Sequence, residues 1–185
     1  MKNFLVAVVL TLLIMNANAQ DSLGIRSSVH LGAGIPNIFA SDISNINGTS
    51  TIPLLVGYSY KTGKLLAFGI LYQTSNISTV DSFNVNGTKY GLDKQYFAIG
   101  LRPDYHFGKS PVFDPYIGIS LIYFGVNKTE RGNVPSNSRL KNKIDASINF
   151  GGQLGANYYV FHNVGIFAEI AYGLSYLNAG LSVRF

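Results

Sequence analysis

The residues Asn178–Phe185 alternate without a miss, and that alternation constrains what the rest of the chain can build. Leu181, Val183 and Phe185 fall on one side with Ala179, while Asn178, Gly180, Ser182 and Arg184 fall on the other. A two-residue period belongs to a strand with one apolar face and one polar or small face. At an open sheet edge such a strand would invite pairing with other chains. Closing a barrel against the first strand removes the edge.

Seven earlier segments repeat the theme. In the first, Ile25, Val29, Leu31, Ala33 and Ile35 share a side with Ser27, against Arg26, Ser28, His30, Gly32 and Gly34. Ile52, Leu54, Val56, Tyr58 and Tyr60 then alternate with Pro53, Leu55, Gly57 and Ser59, and Leu66, Phe68, Ile70 and Tyr72 with Ala67, Gly69, Leu71 and Gln73. The fourth sets Phe97, Ile99, Leu101, Pro103, Tyr105 and Phe107 against Tyr96, Ala98, Gly100, Arg102, Asp104 and His106. Pro103 removes a ladder donor there, which marks an edge or a bulge. The fifth carries Ile117, Ile119, Leu121 and Tyr123 outward, with Tyr116, Gly118, Ser120, Ile122 and Phe124 behind them. The sixth runs from Ile144 to Tyr158, and the seventh opposes Val164, Ile166, Ala168, Ile170 and Tyr172 to Gly165, Phe167, Glu169, Ala171 and Gly173.

The connections alternate in length. Long polar stretches, Pro36–Thr51, Ser75–Lys94 and Asn127–Asn142, follow the odd segments. Short turns, Lys61–Lys64 with Gly63 for positive φ, Gly108–Pro111 and Phe161–Asn163, follow the even ones. Only the short link before the last segment breaks the rule. The pattern predicts an all-β fold: a closed eight-stranded antiparallel up-and-down transmembrane β-barrel, with short turns at one rim and long loops at the other.

Ahead of it, residues 1–19 read as a cleavable signal peptide. Lys2 supplies the charge, Phe4–Met15 the apolar core and Ala17-Asn18-Ala19 the cleavage site. A retained anchor is the alternative, but the apolar run is shorter than the ~20 residues a spanning helix needs. Residues 20–185 are then one barrel domain. Cys is absent, which excludes disulfides and thiolate chemistry. The net charge of +5 is dispersed, with no basic run or recognition helix for nucleic acid.

Alternation alone does not separate a membrane barrel from a soluble one such as a lipocalin. Volume does: eight strands leave room for side chains and little more. Gly, Ala, Ser and Asn fit that interior, whereas the opposite face of Leu, Ile, Val, Phe and Tyr does not. The aromatics are also sorted by height. Tyr58, Tyr60, Tyr105, Phe107, Tyr158 and Phe185 fall near one rim, and Tyr72, Phe97, Tyr123 and Tyr172 near the other, as interfacial girdles would. The segments' charged residues, Arg26, Arg102, Asp104, Asp145, Glu169 and Arg184, all lie on the small face. Opposite charges confined in a lumen should pair, which predicts Glu169 with Arg184, Arg102 or Arg26 as a plug.

The terminal pattern of Asn178, Gly180, Val183 and Phe185 resembles the C-terminal signal of Gram-negative outer-membrane barrels. From Leu23 to Phe185 the chain resembles the small OmpA/OmpX-like outer-membrane proteins, also termed the porin family or outer-membrane β-barrel domain. That resemblance implies an outer-membrane location and two partners, the lipid bilayer and the barrel-assembly machinery, the latter through the strand ending in Phe185. No peptidoglycan-binding domain follows the barrel, so anchoring to the cell wall by such a domain is not expected.

Fold of this kind does not settle function. The favoured expectation is a non-enzymatic surface scaffold and interaction protein with a side-chain-filled lumen, meeting any extracellular ligand through loops 36–51, 75–94 and 127–142. A narrow pore for ions or small solutes is the alternative, opposed by the bulk of Tyr96, Phe124 and Phe167 on the inner face. A lipid-modifying enzyme is the second alternative, and it needs a nucleophile with a positioned base. The His-x-Ser arrangement of small-barrel lipid A deacylases is missing, since His30, His106 and His162 are followed two residues later by Gly32, Gly108 and Val164. Asp42, Asp81, Asp93 and Glu130 lack calcium-loop spacing, and the Asn-x-Ser/Thr triplets at Asn47, Asn76, Asn86 and Asn127 read as polar turns. No catalytic residue, cofactor or metal site is assigned.

Overall fold

A computed structural model describes residues 26–36, 48–62, 65–85, 88–108, 110–131 and 145–185. The signal-peptide assignment, the Gly63 turn and most of the loops 36–51 and 127–142 fall outside these residues. The described strands are β1 (Arg26–Pro36), β2 (Gly48–Ser50), β3 (Leu54–Thr62), β4 (Leu66–Val85), β5 (Thr88–His106), β6 (Phe113–Arg131), β7 (Asp145–Tyr159), β8 (Val164–Ala171) and β9 (Ser175–Arg184). Neighbours pair antiparallel in sequence order, and β1 closes on β9, so eight strands form a barrel. At the seam Ser27 and Phe185 exchange both backbone hydrogen bonds, at 2.9 and 2.8 Å.

β2 is not a ninth wall strand. It prolongs β3 along β4 after a break at Pro53, where the pairing steps from Leu54↔Thr74 to Ser50↔Ile77. The alternation beginning at Ile52 anticipated an unbroken strand, but Pro53 has no N–H for a ladder. Its carbonyl instead accepts from Gly34 N (3.0 Å), while Thr51 N donates to Asn76 O (2.9 Å) and Asn76 N to Thr51 Oγ1 (2.8 Å). Pro103 leaves a smaller mark: the β5–β6 ladder lacks Arg102 and Pro103 between Leu101↔Leu121 and Asp104↔Gly118, with no shift of register.

The expected loop 75–94 is largely strand. β4 and β5 continue as a two-stranded overhang to Val85 and Thr88, and β6 likewise runs on to Arg131 within the expected loop 127–142. Where the ladder leaves the membrane the outward row turns polar, so the apolar–polar alternation ceases although the ladder continues. The outward residues record the change: after Tyr72, Ile99 and Tyr123 come Thr74 and Asn76, Gln95, and Thr129.

Below that line the outer face is apolar and bare. Ile119, Phe150 and Ile170 are 67, 83 and 62% exposed, whereas Asp104, Asn157, Glu169 and Ser182 are buried. Bulky apolar side chains therefore point out and polar ones in, which excludes the soluble barrel. Three members of the expected girdles, Tyr58, Phe97 and Phe185, are only partly exposed. Tyr58 shares a hydrogen bond with Ser27 Oγ (2.9 Å), and the Phe97 ring lies over its cross-strand partner Gly125.

Candidate functional site: the barrel interior

Strand parity aims one side chain in two into the lumen, and register decides which of them meet. Arg102 on β5 lies between two carboxylates. Its Nη2 is 2.5 Å from Glu169 Oε2 on β8, and its Nε donates to Asp104 Oδ2 at 3.0 Å. Tyr116 OH donates to Glu169 Oε2 (2.8 Å) and also lies under the Arg102 guanidinium, whose carbon is 5.6 Å from the ring centroid. Gln153 Nε2 donates to Asp104 Oδ1 (2.7 Å) and to Ile119 O (3.1 Å). Of the three arginines expected for Glu169, the structure selects Arg102. Arg184 instead stands at the turn rim, donating to His162 O (2.9 Å) with its guanidinium 3.8 Å from the Tyr159 ring centroid. The Arg26 side chain lies outside the description.

A second set continues upward. Gln73 Nε2 donates to Ser175 Oγ (3.1 Å) and Asn178 Oδ1 (3.2 Å), and Gln73 Oε1 accepts from Leu174 N (3.0 Å). Ser175 Oγ also bonds Asn178. These contacts pull the short β8–β9 turn inward. Leu174, 1% exposed, then joins Ile77, Tyr96, Ala98 and Ile122 in an apolar cluster above the ionic centre, with Phe124 and Val126 packed against it. The short connection that broke the loop rule is thus a lid over the lumen.

At the opposite rim Asp114 accepts from Lys61 Nζ (3.1 Å) and His106 Nδ1 (3.0 Å). His30 Nε2 donates to Asn157 Oδ1 (3.1 Å), and its ring stands edge-on to Phe167 at 5.2 Å. The hydrogen bonds of His30 and His106 therefore go to an amide and a carboxylate, and His162 is exposed in its turn. Asp145 is paired with Lys128 in the exposed overhang rather than in the lumen proper. Among the described residues, two interior spaces are small, about 20 Å³ beside His30 and Arg102 and about 10 Å³ beside Gln73 and Ser120. A single water needs ~10–15 Å³.

Parity on the strands placed Gln73, Tyr116, Gln153 and Asn178 inward, yet as single polar residues they gave no sign of being partners. Only the register unites them: Glu169↔Asn178 on β8–β9 and Asp104↔Gly118, next to Gln153, on β5–β6–β7.

With eight strands closed around a filled polar core and an apolar exterior, solved structures can be compared. The barrel superposes on the outer-membrane protein OprG of Pseudomonas aeruginosa with a TM-score of 0.53 and 13% identity, covering 87% of this chain and 95% of that one. For the N-terminal β-barrel domain of OprF from the same organism the values are 0.50 and 16%, covering 88% and 98%. The fold is that of a small outer-membrane β-barrel. No protein-family model matches the chain, and no curated protein matches it by sequence. At these identities the likeness concerns architecture, and function must come from the barrel itself.

Proposed function

We propose that the protein is a non-enzymatic outer-membrane surface scaffold, with a sealed lumen that holds the wall rigid and an extracellular overhang that meets partners outside. The double seal carries the reading: an ionic centre of Arg102, Asp104 and Glu169, and above it the apolar cluster around Leu174 and Ile122. Water-filled porins need ~16–18 strands, and the two interior spaces among the described residues, about 20 and 10 Å³, each hold no more than about one or two waters. An extracellular ligand would bind at the overhang of β4, β5 and β6 or through loops 36–51, 75–94 and 127–142. Insertion would use the barrel-assembly machinery, reading the strand that ends in Phe185.

Planar-bilayer recording of the refolded protein tests the seal. The expected result is no stepwise conductance in high salt. Regular single-channel steps that disappear on heat unfolding would replace the scaffold with a pore.

A further inference from the structure

The lipid-facing wall has a recess that a plain scaffold does not need. On the outer side of β7, Gly152 falls between Phe150 and Leu154 in the outward row, and a Cβ built on it meets only Gly118 O, at 3.7 Å. The missing side chain leaves an open groove of about 410 Å³ across β6, β7 and β8. That lies within the ~300–1,000 Å³ range of small-molecule sites. Ile117, Leu154 and Ile170 form its apolar walls, and Tyr172 and Tyr176 stand at one end. The groove has a structural cause as well. β7–β8 pairing ends at Gln153↔Ala171, with a last bond from Tyr172 N to Gly152 O (3.0 Å), because the turn beyond it folds into the lumen.

We propose that this groove binds one acyl chain of a membrane lipid, its head-group end beside Tyr172 and Tyr176. The inference rests on the membrane reading of the barrel. Its walls belong to the belt that faces hydrocarbon, so an acyl chain is the occupant whose chemistry matches. The polarity runs one way, since tyrosine rings with a hydroxyl tip suit the interface and the aliphatic walls suit the tail. A second copy of the chain fits poorly: nine residues line the groove, against roughly 20–30 on each side of a stable protein interface.

The chain has no Trp, so Tyr176→Trp places a single emission reporter at the groove and Ile99→Trp a control on another wall. Each is refolded in detergent and titrated with phosphatidylethanolamine brominated on its acyl chains. The expected result is saturable quenching of the groove reporter at one lipid per barrel, non-saturating quenching of the control, and at least a tenfold weaker site once Gly152→Leu fills the recess. Native mass spectrometry of the unsubstituted protein with the same lipid gives a readout free of reporter substitutions, and a dominant single-lipid adduct is expected. Parallel curves for both reporters, a curve unchanged by Gly152→Leu, a statistical series of adducts, or a lipid-free dimer would each overturn the groove alone. Absence of quenching at both reporters in vesicles of the brominated lipid would overturn the membrane reading with it.

Discussion

Arg102 and Glu169 meet across the lumen from β5 and β8, Nη2 to Oε2 at 2.5 Å, with β6 and β7 forming the wall between them. The arginine is held from the other side by Asp104. Two carboxylates around one guanidinium limit the desolvation cost that either charge would bear alone, and they brace strands not adjacent in the sheet. Removing one partner should therefore be costly. Glu169→Gln is expected to lower unfolding free energy by about 3 kcal/mol, the lower end of the ~3–5 kcal/mol for breaking a buried pair, because Asp104 stays. Urea unfolding in lipid vesicles measures it, and unchanged stability together with unchanged conductance would remove the plug from the account.

A surface pair gives the contrast. Lys128 and Asp145 are also in ion-pair contact, but their side chains are 35 and 47% exposed. Water and salt screen such a pair, so Lys128→Ala should cost about 0–1 kcal/mol in the same assay. A loss equal to that of Glu169→Gln would show that burial does not set the difference.

The inward turn depends on Gln73, whose amide bonds Ser175, Asn178 and the Leu174 N–H. Gln73→Leu leaves buried donors and acceptors unmatched, at ~1–3 kcal/mol for each group. The turn should loosen before the barrel unfolds. Hydrogen exchange at the Leu174 amide is expected to speed up at least tenfold while the β4–β5 amides stay protected, and equal acceleration throughout would make Gln73 a general stabiliser rather than the holder of the lid.

How far the sequence could carry this picture depends on what each feature needed. Strand positions and faces followed from alternation, because a period of two is local and side-chain size assigns the narrow interior. The inward places of Arg102, Asp104 and Glu169 followed too, whereas Asp145 proved to lie in the exposed overhang. The partner of Glu169 did not, since Arg26, Arg102 and Arg184 all sit on the correct face and only register distinguishes them. The overhangs after Gln73 and Val126 were hidden for the opposite reason: alternation reports a boundary between water and lipid, and no such boundary exists above the membrane. Leu174, an apolar residue in a three-residue turn, carried no mark of a lumen plug; its role comes from Gln73, which is about 100 residues away in the chain. Pro53 was visible, and its known aversion to ladders could have flagged the break between β2 and β3.

The closing seam makes another test. Gly32 and Gly180 face each other across β1 and β9, and a Cβ on Gly180 would collide with Leu31 O and lie 2.5 Å from Gly32 Cα. Those are backbone atoms, which cannot swing aside. Gly180→Val should prevent closure, leaving the protein in the slow, unfolded band of heat-modifiability gels after refolding into detergent. No assembly machinery is present in that assay, so the failure would belong to close packing at the seam and not to loss of a recognition signal. Normal refolding of the variant would place the need for Gly180 in recognition.

The apolar belt predicts a dependence on depth. Phe150, 83% exposed, pairs with Leu121 in a row whose outward residues are all apolar, whereas Thr129 points outward from the polar overhang. If hydrocarbon covers the first and water the second, Phe150→Arg should cost ~2–4 kcal/mol in bilayer unfolding, and Thr129→Arg about 0–1 kcal/mol. The comparison holds the substituent constant and changes only its height on the wall. Its sign distinguishes the two solvents, because a guanidinium on a water-covered face is tolerated at either level, while in lipid it must thin the bilayer or snorkel out of it. Equal small costs at both positions would mean that water covers Phe150 as well, and the outward aromatic and aliphatic side chains would then require a protein partner in place of the membrane.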